Sequence, residues 1–481
     1  MGFTPLDYVI VAVYLIGTTL FGSLVGRGQK STRDYFLGGG KMSWWAISFS
    51  IVATETSTLT FIGAPAIAYT GNMTLLQLTF GYLLGKVLVT LILIPGYFRG
   101  EIQTAYELLK QQFGSKVRNF SAVLFQLTRV LADGVRLYAT ALVLSVVTGI
   151  PVGWTVLIIG AATIAYTFFG GMKAVVWNDV IQLLVYISGA FLALYFILEG
   201  VPGGWPEITS AAATAGKFEW LNPSWALSEP YTLISGLIGG AFLTFSTHGT
   251  DQMMVQRYLA CGDRRQSQVA LMVSGVVVIL QFLLFLVIGV MLYAFYQHFP
   301  MAQPLEEADR VFPLFIVTQM PPGVSGLVIA AIFAAAMSTL SSSLNSLSSS
   351  SMNDFYRAKL RPGAEEGHYL RVSRGLTLAW GIAMIGVSIL ARSWGGVLEA
   401  GLTIQSLTMG SVLGIFLLGT ATRRISETGG LIGMVAGLIA MLAVASNESI
   451  AWTWYSLIGS GVTVIVGLVA DRLLGRRPYR S

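Results

Sequence analysis

Long apolar segments separated by short polar loops run along the whole chain. Each apolar run of about 18 or more residues is long enough to cross a bilayer as an α-helix. No region shows the alternating segments of about ten residues that mark an outer-membrane β-barrel. The pattern predicts an all-α polytopic membrane protein. About thirteen transmembrane helices are expected, near residues 6–26, 43–71, 74–98, 119–149, 152–171, 178–200, 231–248, 267–295, 323–352, 373–393, 396–420, 429–446 and 451–473.

Composition supports this class. Only 11% of the 481 residues are charged, and the mean hydropathy is +0.70, whereas soluble domains carry about 25% charged residues. The single cysteine, Cys261, excludes an internal disulfide framework. The first apolar stretch lacks a basic start and a small-residue cleavage site, so it is expected to be a span rather than a signal peptide. No P-loop is present, and ATP-driven pumping is not expected.

The placement of Lys and Arg predicts the orientation. Basic residues cluster at 27–41, 99–118, 173, 257–265, 357–374, 423–424 and 472–480. All of these positions fall on one side of the predicted membrane, and the other side holds only Lys217, Arg310 and Arg392. The positive-inside rule therefore predicts an external N-terminus and a cytoplasmic C-terminus. The net charge of +6 reflects topology and does not indicate nucleic-acid binding.

A hydroxyl-rich tract, AAAMSTLSSSLNSLSSSS, occupies residues 334–351. On a helix, several of its oxygen-bearing positions share one face, namely Ala335, Ser338, Thr339 and Ser342, with Ser341 beside them. Hydroxyl oxygens can replace part of the hydration shell of a hard cation. The alternative is that these side chains bond to their own helix or allow close helix packing.

The second predicted span offers the further ligands that a cation would need. It carries polar residues from Thr54 to Thr60, including Glu55, followed by Gly63 and Pro65. This pattern is typical of a locally unwound membrane helix. We therefore expect free carbonyls near Ala53 and Thr56.

Three basic residues, Lys86, Arg129 and Arg136, are predicted at membrane depth, where charge is costly and usually functional. Arg129 and Arg136 share a helix face with Asp133, which leaves one positive charge uncompensated. An arginine suits a carboxylate ligand bidentately. An internal salt-bridge cluster that includes Glu55 is the alternative.

Several stretches together resemble the sodium:solute symporter family, which includes sodium–glucose, sodium–proline and sodium–sialic acid transporters. They are YFLGGGKM (35–42), SWWAISFSIVAT (43–54), GGMKAVVWNDVIQ (170–182), GTDQMMVQRYLA (249–260) and AAAMSTLSSSLNS (334–346). The resemblance implies a LeuT-type fold of two inverted five-helix repeats. The expected division is 1–42 leading helix and cytoplasmic loop, 43–200 repeat one, 201–230 extracellular loop, 231–420 repeat two, and 421–481 two trailing helices and a basic tail.

The resemblance also implies sodium ligands. The main site would use carbonyls of Ala53, Thr56 and Ala335 with the hydroxyls of Ser338 and Thr339. A second site, similar to that of some sialic acid transporters, would use Asp179, Ser338, Ser341 and Ser342.

Substrate residues are less constrained. Glu55 stands where proline transporters carry Asp and sugar transporters Asn, and it is a candidate for a proton, sodium, a substrate amine or a basic partner. Sialic acid transporters use an Arg from the helix of Arg129 and Arg136. Ser57, Thr60 and Gln77 would bind sugar hydroxyls, and Phe245 would line the opposite wall near His248.

The expected function is sodium-coupled import of a small organic anion or zwitterion, such as an amino acid or sialic acid, by alternating access. The alternatives are sugar symport, proton coupling through Glu55, and a transporter-like sensor. The expected partners are the solute, sodium ions and the lipid of a cell membrane, with a bacterial inner membrane favoured. We expect a monomer or weak oligomer, with no enzymatic activity.

Overall fold

The computed structural model describes residues 3–301, 307–391, 397–421, 425–446 and 449–474. Every regular element in these ranges is helical. The first helices are α1 (Pro5–Val25), α2 (Thr32–Leu37), α3 (Trp44–Glu55), α4 (Thr58–Thr70), α5 (Leu76–Leu88), α6 (Ile94–Tyr97), α7 (Ala105–Phe113), α8 (Ser115–Thr148), α9 (Val152–Gly200) and α10 (Gly204–Thr214). They are followed by α11 (Gly240–Gly249), α12 (Gln252–Ala260), α13 (Arg264–His298), α14 (Val311–Gln319), α15 (Val324–Ser350), α16 (Glu366–Ala391), α17 (Val397–Ala421), α18 (Glu427–Ala445) and α19 (Tyr455–Leu474).

Nine helices in the described ranges are long and apolar enough to cross a membrane, or ten if the bent pair of α3 and α4 counts as one span. The predicted all-α, multi-pass class is therefore confirmed. Two predicted spans, 152–171 and 178–200, are continuous in α9, which is kinked at Gly171. The backbone φ of Gly171 is +55°, a conformation that favours glycine. A Cβ atom at this position would lie 2.4 Å from the carbonyl oxygen of Tyr35. Arg392, Arg423, Arg424 and the arginines beyond Leu474, used above for orientation, lie outside the described residues.

The predicted break in the second span lies between α3 and α4, which are bent by 62°. At the end of α3 the hydroxyl of Thr56 donates to the carbonyl of Val52 at 2.9 Å and so caps the helix through its side chain. Gly63 and Pro65 lie inside α4 rather than at the break. The helix is therefore interrupted at Thr56 and Ser57 and not at Gly63 or Pro65.

A second interruption separates α11 from α12 at Thr250 and Asp251. The carboxylate of Asp251 accepts a hydrogen bond from the backbone N–H of Met253 at 2.8 Å, which starts α12.

α15 forms the centre of the bundle, and every residue from Val328 to Ser350 is buried. It packs against α1, α8, α9 and α16. At the end of α15 the backbone continues as a π-helix over Ser351–Leu360. The hydroxyl tract is thus enclosed by protein along its whole length.

Candidate cation and substrate site

α15 meets the break between α3 and α4 through hydroxyl groups. Thr339 Oγ1 donates to the carbonyl of Thr54 at 3.2 Å and approaches that of Ala335 at 3.5 Å. Within the described part of the chain, no backbone N–H is bonded to the carbonyl oxygen of Ala53 or Thr56. The broken helix thus contacts the face of Ser338 and Thr339 through the carbonyl of Thr54, and the carbonyls of Ala53 and Thr56 stay predicted ligands.

Asp179 of α9 lies on the other side of this face and is fully buried. Ser338 Oγ donates to Asp179 Oδ1 at 2.6 Å. Ser342 lies 3.1 Å from the hydroxyl of Thr54, and Thr54 in turn reaches Asp179 at 3.5 Å. The hydroxyl of Ser341 instead donates to the carbonyl of Ser338, at 3.1 Å. Ser338 of the predicted second set thus contacts Asp179 directly, whereas Ser341 and Ser342 both donate to the Ser338 carbonyl of their own helix, at 3.1 and 2.8 Å.

Arg257 is a member of this cluster that the sequence reasoning missed. Placing it in a cytoplasmic loop was wrong, because its side chain is 1% exposed and reaches inward from α12. Its Nη2 lies 3.0 Å from Asp179 Oδ2, and its Nε donates to Ser50 at 2.8 Å. Nη2 also donates to Ser342. The signal that could have found it is Asp179 itself, since a buried carboxylate requires a counter-charge.

Glu55 pairs with residues other than the arginines. Its carboxylate lies 2.6 Å from Lys86 Nζ and 3.0 Å from His248 Nε2. Lys86 also donates to Ser274 at 3.1 Å. Among the roles considered for Glu55, the structure supports pairing with a basic side chain.

The pair of arginines on α8 is also compensated. Asp133 lies 2.9 Å from Arg136 and 3.5 Å from Arg129, and Arg129 forms a further ion pair with Asp251. The expected uncompensated charge was therefore wrong, because Asp251 supplies a second carboxylate. Arg136 differs in that its side chain is 17% exposed.

Arg136 opens onto a small cavity between α4, α8 and α15. The cavity is lined by Ser57, Thr58, Leu59, Asp133, Arg136, Leu137, Thr140, Ala336, Thr339 and Leu340. A guanidinium and several hydroxyls thus face the same space as a residue of the predicted sodium site. The cavity volume is about 10 Å³, room for about one water molecule, so a bound anion requires this space to widen.

The remaining predicted substrate residues do not line this cavity. Gln77 is buried, and its amide joins the carbonyl of Tyr231 and the N–H of Asn222, each at 3.2 Å. Gln77 therefore anchors the segment that follows α10. Thr60 is half-buried on α4, and Phe245 is buried in α11 with its ring 6.5 Å from that of Phe242.

Comparisons with known proteins identify the family of this chain. The sequence model of the sodium:solute symporter family matches residues 35–437. The chain belongs to the sodium:solute symporter family. The sodium/sialic acid symporter SiaT of Proteus mirabilis (strain HI4320) is 32% identical over 479 residues, covering 97% of this chain and 95% of that protein. The sequence-based assignment is therefore confirmed.

Solved structures show the same relationship. A substrate-bound, outward-open Na+-coupled sialic acid symporter that reveals a novel Na+ site has a TM-score of 0.91 at 31% identity, covering 99% of both chains. Mhp1, a nucleobase-cation-symport-1 family transporter in a closed conformation, has a TM-score of 0.60 at 14% identity, covering 94% of this chain and 96% of its own, and shows the LeuT-like fold. This family member is a multi-pass membrane protein and a sodium-coupled symporter of a small organic solute.

Proposed function

We propose that this symporter imports a small carboxylate anion together with two sodium ions. The observation that carries the sodium sites is the meeting of α15 with the broken helix, where Thr339 bonds the carbonyl of Thr54. The first ion binds carbonyls of Ala53, Thr56 and Ala335 with the hydroxyls of Ser338 and Thr339. The second binds Asp179, Ser338 and Ser342, with Ser341 as a fourth ligand if its hydroxyl rotates away from its own helix.

The substrate is proposed to be an anion because the cavity presents a guanidinium. Arg136 shares Asp133 with Arg129 and retains exposed surface toward the cavity. A carboxylate bound there would lie near the sodium ligand Thr339, so that ion and substrate stabilise each other. Sialic acid is the first candidate, because the relative SiaT is a sodium/sialic acid symporter.

The finer architecture is proposed as thirteen spans in two inverted repeats, 43–200 and 231–420. Two features support this division: each proposed repeat opens with an interrupted helix, α3/α4 and α11/α12, and the kink at Gly171 divides α9 into two spans. The distribution of basic residues supports an external N-terminus and a cytoplasmic C-terminus. A bacterial inner membrane and a monomeric or weakly associated state complete the proposal.

The test is uptake by proteoliposomes containing the purified protein, with sodium or potassium outside and sialic acid, a monocarboxylate, an amino acid or a neutral sugar as solute. Sodium-dependent uptake of a carboxylate is expected. Ser338→Ala is expected to lower the apparent sodium affinity at least about tenfold, since it removes a ligand shared by both sites.

The matched control is Ser348→Ala, which makes the same change in the same helix. The Ser348 hydroxyl donates to the carbonyl of Ser373 at 2.7 Å, and its loss is expected to leave sodium affinity unchanged. Arg136→Gln separates the substrate classes, because it should abolish uptake of a carboxylate and spare that of a neutral sugar. Uptake that is indifferent to sodium and to Ser338 would refute the proposal.

A further inference from the structure

Asp354 is a buried carboxylate just beyond the hydroxyl tract, and two hydroxyl groups bond it directly. Its Oδ1 accepts a hydrogen bond from Thr104 Oγ1 and its Oδ2 from Ser350 Oγ, both at 2.8 Å. An ionised carboxylate can accept about four hydrogen bonds, so two acceptor positions remain. Across the described residues, no lysine, arginine or histidine nitrogen forms an ion pair with Asp354.

Other buried carboxylates of the bundle are compensated. Those with basic partners are Glu55, Asp133, Asp179 and Asp251. Asp7 lacks a basic partner but accepts hydrogen bonds from Thr4, Gly323, Ser325 and Gly326. An unpaired charge in a buried position is costly, so the charge of Asp354 is offset either by a proton or by a cation.

The basic residues nearest in the sequence and fold are engaged elsewhere. Arg357, three residues further along, lies 3.0 Å from Glu366. Arg118 of α8 donates to the side chain of Asn119 at 3.0 Å. Neither arginine forms an ion pair with Asp354; Arg118 attracts it at longer range, and the negative charge of Glu107 opposes that attraction.

Oxygen atoms surround the carboxylate. Ser349 and Ser350 precede it on α15, and the Ser349 hydroxyl oxygen accepts a hydrogen bond from Gln252 Nε2 at 3.4 Å. The side-chain oxygen of Gln103, the neighbour of Thr104, is buried and has no hydrogen-bond donor. Glu107 adds a second carboxylate, since it accepts a hydrogen bond from the backbone N–H of Thr104 at 3.3 Å. Hard cations favour such oxygen-rich, negative surroundings.

The backbone is unusual at the same point. Asp354 lies in the π-helix Ser351–Leu360, and π-helical turns frequently occur at functional sites. It follows Ser338 by sixteen residues, or about 24 Å along a helix. A row of buried serines at four-residue spacing, Ser342, Ser346 and Ser350, joins the two positions.

We infer that Asp354, with Ser350 and Thr104, forms an additional sodium-binding position that the ion occupies on its way to the cytoplasm. The inference rests on the proposed sodium site at Ser338 and on the proposed orientation. A fixed carboxylate at the inner end of the serine row lowers the cost of moving the ion out of the Asp179 cluster. It also prevents the departing ion from meeting the basic residues at 357–361 without compensation.

The test is Asp354→Asn, which removes the charge but keeps a side chain able to bond Thr104 and Ser350. Two rates are measured in proteoliposomes: net sodium-driven uptake into sodium-free vesicles, and solute exchange with saturating sodium on both sides. Only net uptake requires sodium release inside. Net uptake is expected to fall at least about tenfold, while exchange changes less than about twofold. Equal loss of both rates, or no loss of net uptake, would overturn the inference.

Further variants distinguish failure of the Asp354 inference from failure of the proposed sodium site at Ser338. Sodium is expected to stabilise Asp354→Asn against unfolding as it does the wild type, whereas Ser338→Ala should lose this stabilisation. If Ser338→Ala keeps it, the proposed sodium site at Ser338 is wrong, whatever the result for Asp354→Asn. Asp7→Asn makes the same chemical change at the opposite end of α15 and should not alter the ratio of the two rates. Ser350→Ala should shift that ratio in the same direction as Asp354→Asn and provides the test if the latter does not fold.

Discussion

The Arg257 guanidinium and a sodium ion in the proposed second site would neutralise the same carboxylate, Asp179. Arg257→Gln leaves that carboxylate buried without its partner, and breaking a buried pair costs about 3–5 kcal/mol of folding free energy. Sodium would then supply the missing charge. We therefore expect Arg257→Gln to melt at a lower temperature without sodium and to gain more stability from sodium than the wild type. Thermal unfolding at zero and saturating sodium measures both effects.

The double variant Asp179→Asn/Arg257→Gln is the control, because it removes both charges together. It should recover much of the stability lost in Arg257→Gln and lose the enlarged response to sodium. An equal sodium response in Arg257→Gln and the wild type would contradict a cation position at Asp179.

Residue types were easier to predict than residue partners. The helical spacing of Ser338, Thr339 and Ser342 indicated a shared polar face, because helix geometry is local. The pairing of Glu55 with Lys86 depends instead on how α3 packs against α5, which no spacing in the chain encodes. Arg257 was missed for the same reason: a long polar side chain beside other basic residues is typical of a cytoplasmic loop.

At the scale of elements, the carboxylate of Asp7 links the helices α1 and α15. Asp7 of α1 accepts hydrogen bonds from the N–H groups of Gly323 and Gly326, both at 2.8 Å, and thereby caps the start of α15. Hydrogen bonds to a charged group contribute about 1.5–3 kcal/mol each. Asp7→Asn replaces one carboxylate oxygen by an amide NH2 group and removes the negative charge. The variant is therefore expected to unfold at a lower temperature than the wild type, which thermal unfolding in detergent measures.

The control for this capping role is Asp34→Asn. Asp34 accepts hydrogen bonds from the N–H groups of Lys30 and Ser31, at 3.1 and 3.2 Å, and caps only the six-residue helix α2. Its loss should lower the unfolding temperature by less than half as much. If the two substitutions lower the unfolding temperature equally, the link between α1 and α15 contributes no more stability than the cap of a single helix.

The elements themselves were predictable where their cause is local. Apolar length defined most spans, and the polar run from Thr54 to Thr60 indicated the break. The position of that break was less accessible, because Pro65 is accommodated inside α4 while Thr56 is held by Gln281 of another helix. The π-helix after Ser350 has no sequence pattern of its own.

At the scale of the molecule, the buried charges around the proposed sodium and substrate sites are paired before any ligand binds. Four basic side chains face four acidic ones, the pairs being Lys86–Glu55, Arg129–Asp251, Arg136–Asp133 and Arg257–Asp179. The charge moved in one transport cycle is then set by the cargo alone. Two sodium ions with one monoanion carry a net charge of +1, whereas one sodium ion with one monoanion carries none.

Voltage dependence therefore reports the number of sodium ions. An inside-negative potential of about 100 mV contributes about 2.3 kcal/mol per charge, or about 50-fold in accumulation of the solute.

We expect a potassium diffusion potential to increase uptake of a monocarboxylate by the wild type in proteoliposomes. In Asp179→Asn/Arg257→Gln, which lacks the second proposed site and keeps the charge balance, uptake should become insensitive to the potential. Ser348→Ala should behave as the wild type. Undiminished voltage dependence in the double variant would place the second ion elsewhere, because the net charge of the cargo would then be independent of Asp179.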